Sequence, residues 1–233
     1  MRERLVDTAE LLDAPAHERA ELAQALEQIA EVNRWLGGQR AVVRALAPLL
    51  CRARPQTVLD VGTASADIPV AIDAWARRHG FDVDIIATDR HAQMRAIAAE
   101  RTAAAARIVV GAADALALPF RDGSVDVVLL SLTLHHFEPE AQVRALREAG
   151  RVAARAVVVN ELERGWPNYL GARGLALTRW RRNRLTRHDG PLSVLRAFRR
   201  DELAALAQTA GLRLESLQRT FFHRLVMVAD TRR

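Results

Sequence analysis

The 233-residue chain has no lysine, so all 34 of its basic residues are arginine. Aromatic residues are scarce at 5%, with a single tyrosine. One cysteine, Cys51, excludes an internal disulfide and a cysteine-based metal cluster, and fits a reducing compartment. Long apolar runs are missing too. None approaches the roughly 18 residues of a membrane span, and the first ten residues carry charge where a secretory leader needs an apolar run. These absences lead us to expect a cytoplasmic protein with no membrane span.

What is present is ordinary globular composition, half hydrophobic and 27% charged. A core of this size buries roughly 70–75% of the unfolded chain's surface and needs no disulfide or metal to hold it. The net charge of +6 is spread rather than concentrated. Arginines interleave with acids, as in Arg2-Glu3-Arg4 and Glu161-Leu162-Glu163-Arg164, so basicity alone does not make nucleic acid the expected partner.

The first 50 residues read as helical. Asp13 and Pro15 are start signals, and Leu22, Leu26 and Ile29 form an apolar stripe that Gly37-Gly38 breaks. A second helix carries Val42, Val43, Leu46, Leu49 and Leu50, with Cys51 on its apolar face, and Arg54-Pro55 marks a boundary. The chain thus divides into an N-terminal helical cap, 1–53, and a main domain, 54–233. From there, short apolar runs alternate with helical patterns. Strands are expected at Thr57–Val61, Asp84–Asp89, Arg107–Val110, Val125–Ser131 and Ala156–Asn160. The first is followed by a helix with Asp67 as N-cap and Pro69 in its first turn. Leu212–Arg219 and Phe222–Ala229 read as a closing antiparallel hairpin. The pattern is that of an α/β protein with a mostly parallel sheet. Residues 162–200 are too long for an ordinary connection and read as a helical insertion over the site.

In an open parallel sheet, ligands sit at the carboxyl ends of the strands. The first strand ends in Asp60-Val61-Gly62-Thr63-Ala64-Ser65-Ala66-Asp67, whose small residues let the backbone cradle a ligand near a helix N-terminus. Asp89, followed by Arg90, is placed to accept from a ribose diol. Asp114 and Ala115, before Leu116-Ala117-Leu118-Pro119-Phe120, suit an adenine amino group and ring. A dinucleotide fold wants Gly-x-Gly-x-x-Gly with an acid roughly 20 residues on. Here that spacing is absent, and Asp89 lies 27 residues after Gly62.

This constellation, with Val125–Phe137 including Ser131, His135 and His136, resembles the class I S-adenosylmethionine-dependent methyltransferases, and generally those that tailor quinones and polyketides. The resemblance runs from Thr57 to about Glu161 and again over the terminal hairpin. It implies a Rossmann-like, seven-stranded sheet and S-adenosylmethionine as cofactor. Asp60 and the Gly62–Ala66 turn would hold the methionine end, Asp89 the ribose, and Asp114 with Ala115 the adenine. Ser131 and the residues after it would line the methyl side. The family pattern has glycines where this chain has Ala64 and Ala66. Alanine is strained there if φ must be positive, and merely tightens the pocket if it is negative.

Candidates for catalysis follow strand four: His135 and His136, one of which is expected to face the substrate as a base. His188-Asp189 in the insertion is a pair able to deprotonate a phenol, although Asp189-Gly190-Pro191 also reads as a turn. Glu161 and Arg164 either orient an acceptor or form a surface pair. Trp166 and Tyr169, with neighbouring leucines, suit an apolar acceptor. His17, His79, His91 and His223 belong to no constellation. The leading expectation is O-methylation of a small phenolic or polyketide-like acceptor, with C-methylation close behind, by a monomer or homodimer. The arginines between 179 and 187 motivate an RNA methyltransferase as the alternative, and Ala64 and Ala66 a non-catalytic nucleoside-binding module.

Overall fold

A computed structural model describes residues 3–220 and 223–231 of the chain. The apolar runs form one sheet, with β1 at Gln56–Val61, β2 at Val83–Asp89, β3 at Ile108–Ala112, β4 at Val125–Ser131 and β5 at Ala153–Leu162. The hairpin is β6, Arg213–Thr220, and β7, Arg224–Asp230. Phe222, expected to begin the last strand, lies outside the described residues. Strand order is β3-β2-β1-β4-β5-β7-β6. β1 to β5 pair in parallel, and β7 inserts antiparallel between β5 and β6. The chain therefore winds outward in one direction from β1 and in the other from β4. That reversal opens a crevice at the strands' carboxyl ends.

Alternation within strands decides which core each side chain joins. Leu59, Val61, Val128, Leu130, Val157 and Val159 point to one face, where they meet Leu146 of α5 (Pro139–Val152) and Leu203 of α8 (Arg200–Thr209). Val58, Val127, Leu129 and Val158 point to the other face. There they meet Val42 and Leu46 of α2 (Gly38–Leu46), Ile72 of α3 (Asp67–His79) and Ala98 of α4 (Ala92–Thr102). Burial on both faces explains why these strands read as continuous apolar runs.

The carboxyl ends are roofed separately. Leu22 and Leu26 of α1 (Arg19–Trp35) pack with Leu12, with Ile97 of α4 and with Leu185 of α7 (Arg184–Arg196). Ala172 and Ala176 of α6 (Trp166–Leu177) pack with Trp180 and with Val194 of α7. The insertion after β5 is therefore two helices, and α1 lies against the second.

Several local expectations are corrected. Asp13 and Pro15 do not start α1; Glu18 does, its carboxylate accepting from Ala20 N and Glu21 N. Asp67 is the first helical residue of α3 rather than its cap, because Ala66 holds the cap position in the left-handed region. Asp189-Gly190-Pro191 forms no turn but lies inside α7, which Asn183 caps by accepting from Thr186 N. Gly190 is required there, since a Cβ would fall 2.2 Å from Trp180 Cζ3. Cys51 sits past the helix, half-buried in the connection to β1.

Candidate active site

The crevice between β1 and β4 holds a cavity of about 660 Å³, closed above by α1, α6, α7 and residues 9–13. Its floor is the turn after β1. Gly62, at φ 76°, could carry no side chain, because a Cβ would lie 2.7 Å from Thr133 Cγ2. Gly62 N and Thr63 N both donate to Thr88 O, at 2.8 and 2.9 Å, locking the turn to β2. Ala64 and Ala66 take φ of 49° and 57°. The positive-φ alternative therefore holds at both alanines. Each accepts the steric cost that glycine avoids.

Asp60 ends β1 at 2% exposure, and its Oδ1 has no hydrogen-bond partner among the described residues. Burial pushes its carboxyl up to about 7; the Thr63 hydroxyl works against the shift, and the charges of Asp67 and Asp89 add to it. Asp89 ends β2 and ties two loops together, its Oδ2 accepting from Ala64 N at 3.0 Å and its Oδ1 from His91 N at 2.8 Å. Each carboxylate oxygen keeps a lone pair for a further donor. Asp60, Gly62, Thr63, Ala64, Asp89 and Arg90 all line the cavity, as do Ala115 and Ser131. Asp114 does not. It is exposed, and its Oδ1 accepts from Leu116 N within its own turn, leaving Ala113, Ala115 and Phe137 as the wall there.

The opposite half of the cavity is acidic and histidine-bearing at one point and apolar elsewhere. His135 and His136 both line it, their ring centroids 4.3 Å apart. His135 Nδ1 lies 2.7 Å from Glu161 Oε2, and its Nε2 lies 3.5 Å from Glu10 Oε1. Glu161, fully buried at the end of β5, also accepts from Leu134 N at 2.8 Å. Burial alone would raise the Glu161 carboxyl, but His135 and His136 hold it below the usual range. His136 Nδ1 pairs with Asp13 at 3.0 Å. Burial disfavours the charged form of His136, yet Glu10, Asp13 and Glu161 carry its pKa up to about 9. Glu10, His135 and His136 each bring a nitrogen or oxygen within 4.8 Å of the others, the spacing of a group able to hold a metal ion.

Of the remaining expected site residues, Glu161 holds His135 rather than lining the cavity. Arg164 is buried in a pair with Glu202 and donates to Ala197 O. His188 is half-exposed and turned to Asp189 Oδ1 at 2.7 Å, away from the lining. Trp166 is exposed, and Tyr169 packs edge-on against it and into the α6–α7 cluster. Neither reaches the cavity, whose α6 wall is Pro167, Asn168, Gly171, Ala172 and Leu175. Asp189, expected only as the partner of His188, lines it, and sequence reasoning missed Glu10, Asp13, Asn33, Asp67, His91 and Arg224, which line it too. Arg224 alone left a signal, as a charge opening the apolar run Leu225–Ala229.

Residues 58–155 match the family model described as a methyltransferase domain. No match to the sequence is found among curated proteins. Among solved structures, the chain is similar to a SAM-dependent methyltransferase from Aquifex aeolicus, at 16% identity and TM-score 0.66, over 93% of this chain and 100% of that one. It is also similar to an O-methyltransferase family 2 protein from Planctomyces limnophilus crystallised with apigenin, at 15% identity and TM-score 0.66, over 94% of this chain and 63% of that one. A third is the CurJ carbon methyltransferase, at 14% identity and TM-score 0.59, over 82% of this chain and 52% of that one. Residues 58–155 are thus similar to a methyltransferase domain, and the chain has the fold of the S-adenosylmethionine-dependent methyltransferases it resembles. The site fits S-adenosylmethionine. Asp60 offers an orphaned buried acceptor, Gly62 a cradle that a Cβ would fill, and Asp89 free lone pairs.

Proposed function

We propose that the enzyme methylates an oxygen of a small, apolar, phenolic or polyketide-like acceptor, with His135 as the base. The observation that carries this reading is the His135–Glu161 contact of 2.7 Å at the cavity wall directly after β4. A carboxylate on Nδ1 keeps the proton there, so Nε2 is the basic nitrogen. The cofactor supplies an electrophilic methyl group on a sulfonium. His135 Nε2 takes the hydroxyl proton as the oxygen becomes nucleophilic, and Glu161 and Glu10 stabilise the imidazolium that forms, from opposite sides of the ring. The apolar roof of Leu12, Leu26, Ile29 and Leu175 excludes water and matches an apolar acceptor.

Methylation of an acidic carbon uses the same base and is the second product class. The RNA alternative draws less support: Arg179 is held by Glu31 and stacks over Trp35, and Arg184 pairs with Glu21, all on α1. The test is a screen of phenols and 1,3-diketones with S-adenosylmethionine, read by mass spectrometry and repeated with His135→Gln. Phenol methylation, with turnover falling about 10²–10⁴-fold in the variant while S-adenosylhomocysteine affinity holds, is the expected outcome. Full turnover by His135→Gln removes the base from the mechanism.

A further inference from the structure

Helix α6 carries two different faces. Its inner residues Asn168, Ala172 and Leu175 are cavity wall. Its outer residues Trp166, Leu170, Arg173 and Leu177 recur at helical spacing, which puts all four within an arc of about 60° at 3.6 residues per turn. Trp166 is 57% exposed, Leu170 63% and Leu177 71%. Trp35, 53% exposed at the end of α1, adjoins them through Arg179, whose guanidinium lies 4.6 Å over its ring. Four of the six large hydrophobic side chains exposed among the described residues thus gather on α6 and the helix end beside it. A patch of that kind marks a contact surface.

Charge decides what that surface meets. Between Glu163 and Asp189 the chain has seven arginines and no acidic residue. Arg164 is buried against Glu202, and Glu31 and Glu21 of α1 neutralise Arg179 and Arg184. Arg173, Arg181, Arg182 and Arg187 are exposed and form no ion pair among the described residues. An apolar protein partner would have to desolvate these cations. An anionic bilayer accommodates both parts, since tryptophan and leucine enter the boundary while arginines reach the headgroups. At 12 residues α6 is far short of the roughly 20 needed to cross a membrane, so it would lie in the plane of the surface.

We propose that α6 is an in-plane docking helix for an anionic lipid surface. Trp166, Leu170 and Leu177 enter the headgroup boundary, and Arg173, Arg181 and Arg182 pair with the lipid phosphates. Docking stands apart from the reaction proposed for the cavity, because none of these six side chains lines it. It brings the cavity to within about 10 Å of the lipid, one helix diameter, and so close to any apolar acceptor dissolved there.

Co-sedimentation of the full chain with vesicles tests this, using pure phosphatidylcholine and an equal mixture of phosphatidylcholine and phosphatidylglycerol. Wild-type protein is expected to bind the mixed vesicles about tenfold more strongly or better, and to lose most of that binding at high salt. Leu170→Asp combined with Leu177→Asp should weaken mixed-vesicle binding about tenfold or more, with Tm unchanged. Val109→Asp combined with Leu214→Asp adds the same charge at exposed apolar positions of β3 and β6, and should leave binding unaltered. Equal binding to both vesicles, binding to neither, or the same loss from both double variants overturns the docking helix. So does mixed-vesicle binding that the α6 leucine variant retains in full; retention of single-stranded RNA by that variant would then assign the arginines to nucleic acid. If the leucine variant does not fold, Arg181→Gln combined with Arg182→Gln decides. That pair should weaken mixed-vesicle binding about tenfold, and unchanged binding overturns the proposal.

Discussion

Ala64 and Ala66 show how a single methyl group can work against a turn. Both sit at positive φ, where an L-residue with a Cβ costs roughly 1–2 kcal/mol. Ala64 is only half-buried, so little packing is lost by removing its methyl group. Ala64→Gly should therefore raise stability by up to about 1 kcal/mol, read as a higher Tm with cofactor affinity retained. Asp60 is under the opposite tension. Its raised pKa, about 7, means that the fold disfavours the charged form, so the cost builds as pH rises from the unfolded value of roughly 3.9 and is complete above about 7. Asp60→Asn should raise the Tm of the ligand-free protein at pH 8 while weakening S-adenosylhomocysteine, a trade of stability for function. A lower Tm would show that the buried carboxylate is already compensated. For Asp89, whose carboxylate serves two backbone donors and the expected ribose contact, Asp89→Ala should weaken S-adenosylhomocysteine about 10–100-fold by calorimetry. At this scale the sequence was informative where a residue ends a strand, because strand ends and ligand positions coincide in parallel sheets. It was uninformative at Asp114, whose carboxylate found a donor in its own turn.

Secondary-structure elements show where local reading succeeded and where it stopped. β1 to β5 were legible because burial on both faces writes a continuous apolar run, and β5 extends to Leu162 and so delivers Glu161 to His135. α7 was illegible at its centre. Asp189-Gly190-Pro191 carries turn chemistry, yet tertiary packing of Gly190 on Trp180 keeps the segment helical. Asp189 then does something no local rule foresees. Its carboxylate accepts from Leu11 N and Leu12 N, both at 2.9 Å, and pins residues 9–13 over the cavity. Arg196 adds a second anchor by donating to Val6 O and Thr8 O. Asp189→Ala should cost about 1.5–3 kcal/mol and speed hydrogen exchange at Leu11 and Leu12 above that of the sheet. Unchanged protection there would mean that the remaining anchors, Arg196 and the Ser193 hydroxyl on Glu10 among them, hold the segment.

Across the whole molecule, that pinned segment closes an electrostatic cluster from three directions. Glu10 and Asp13 come from the N-terminal segment, His135 and His136 from the connection after β4, and Glu161 from β5. His136 binds its proton more tightly in the fold, at about 9, than the roughly 6.5 of an unfolded histidine. The resulting stabilisation is fully present below about pH 6.5 and is lost as pH rises through about 9, a change of about 3 kcal/mol at most. Thermal melts across that interval should show Tm falling in the wild type and much less in His136→Gln. Parallel curves would assign the pH dependence to other groups.

Hydrophobic period and strand-end chemistry, both local properties, were enough to specify the α/β class, the parallel core, the closing hairpin and several strand-end residues that line the cavity. Beyond His135, His136 and those strand-end residues, the charged and polar groups that meet around the crevice were not readable from the chain. Glu10, Asp13, Asn33 and Arg224 come from segments up to nearly the whole chain apart and converge only when α1, α7 and β7 pack around it. Local pattern records which way a side chain faces its own core. It carries no record of which distant charge will meet it there, since that distance exists only once the helices have closed over the sheet.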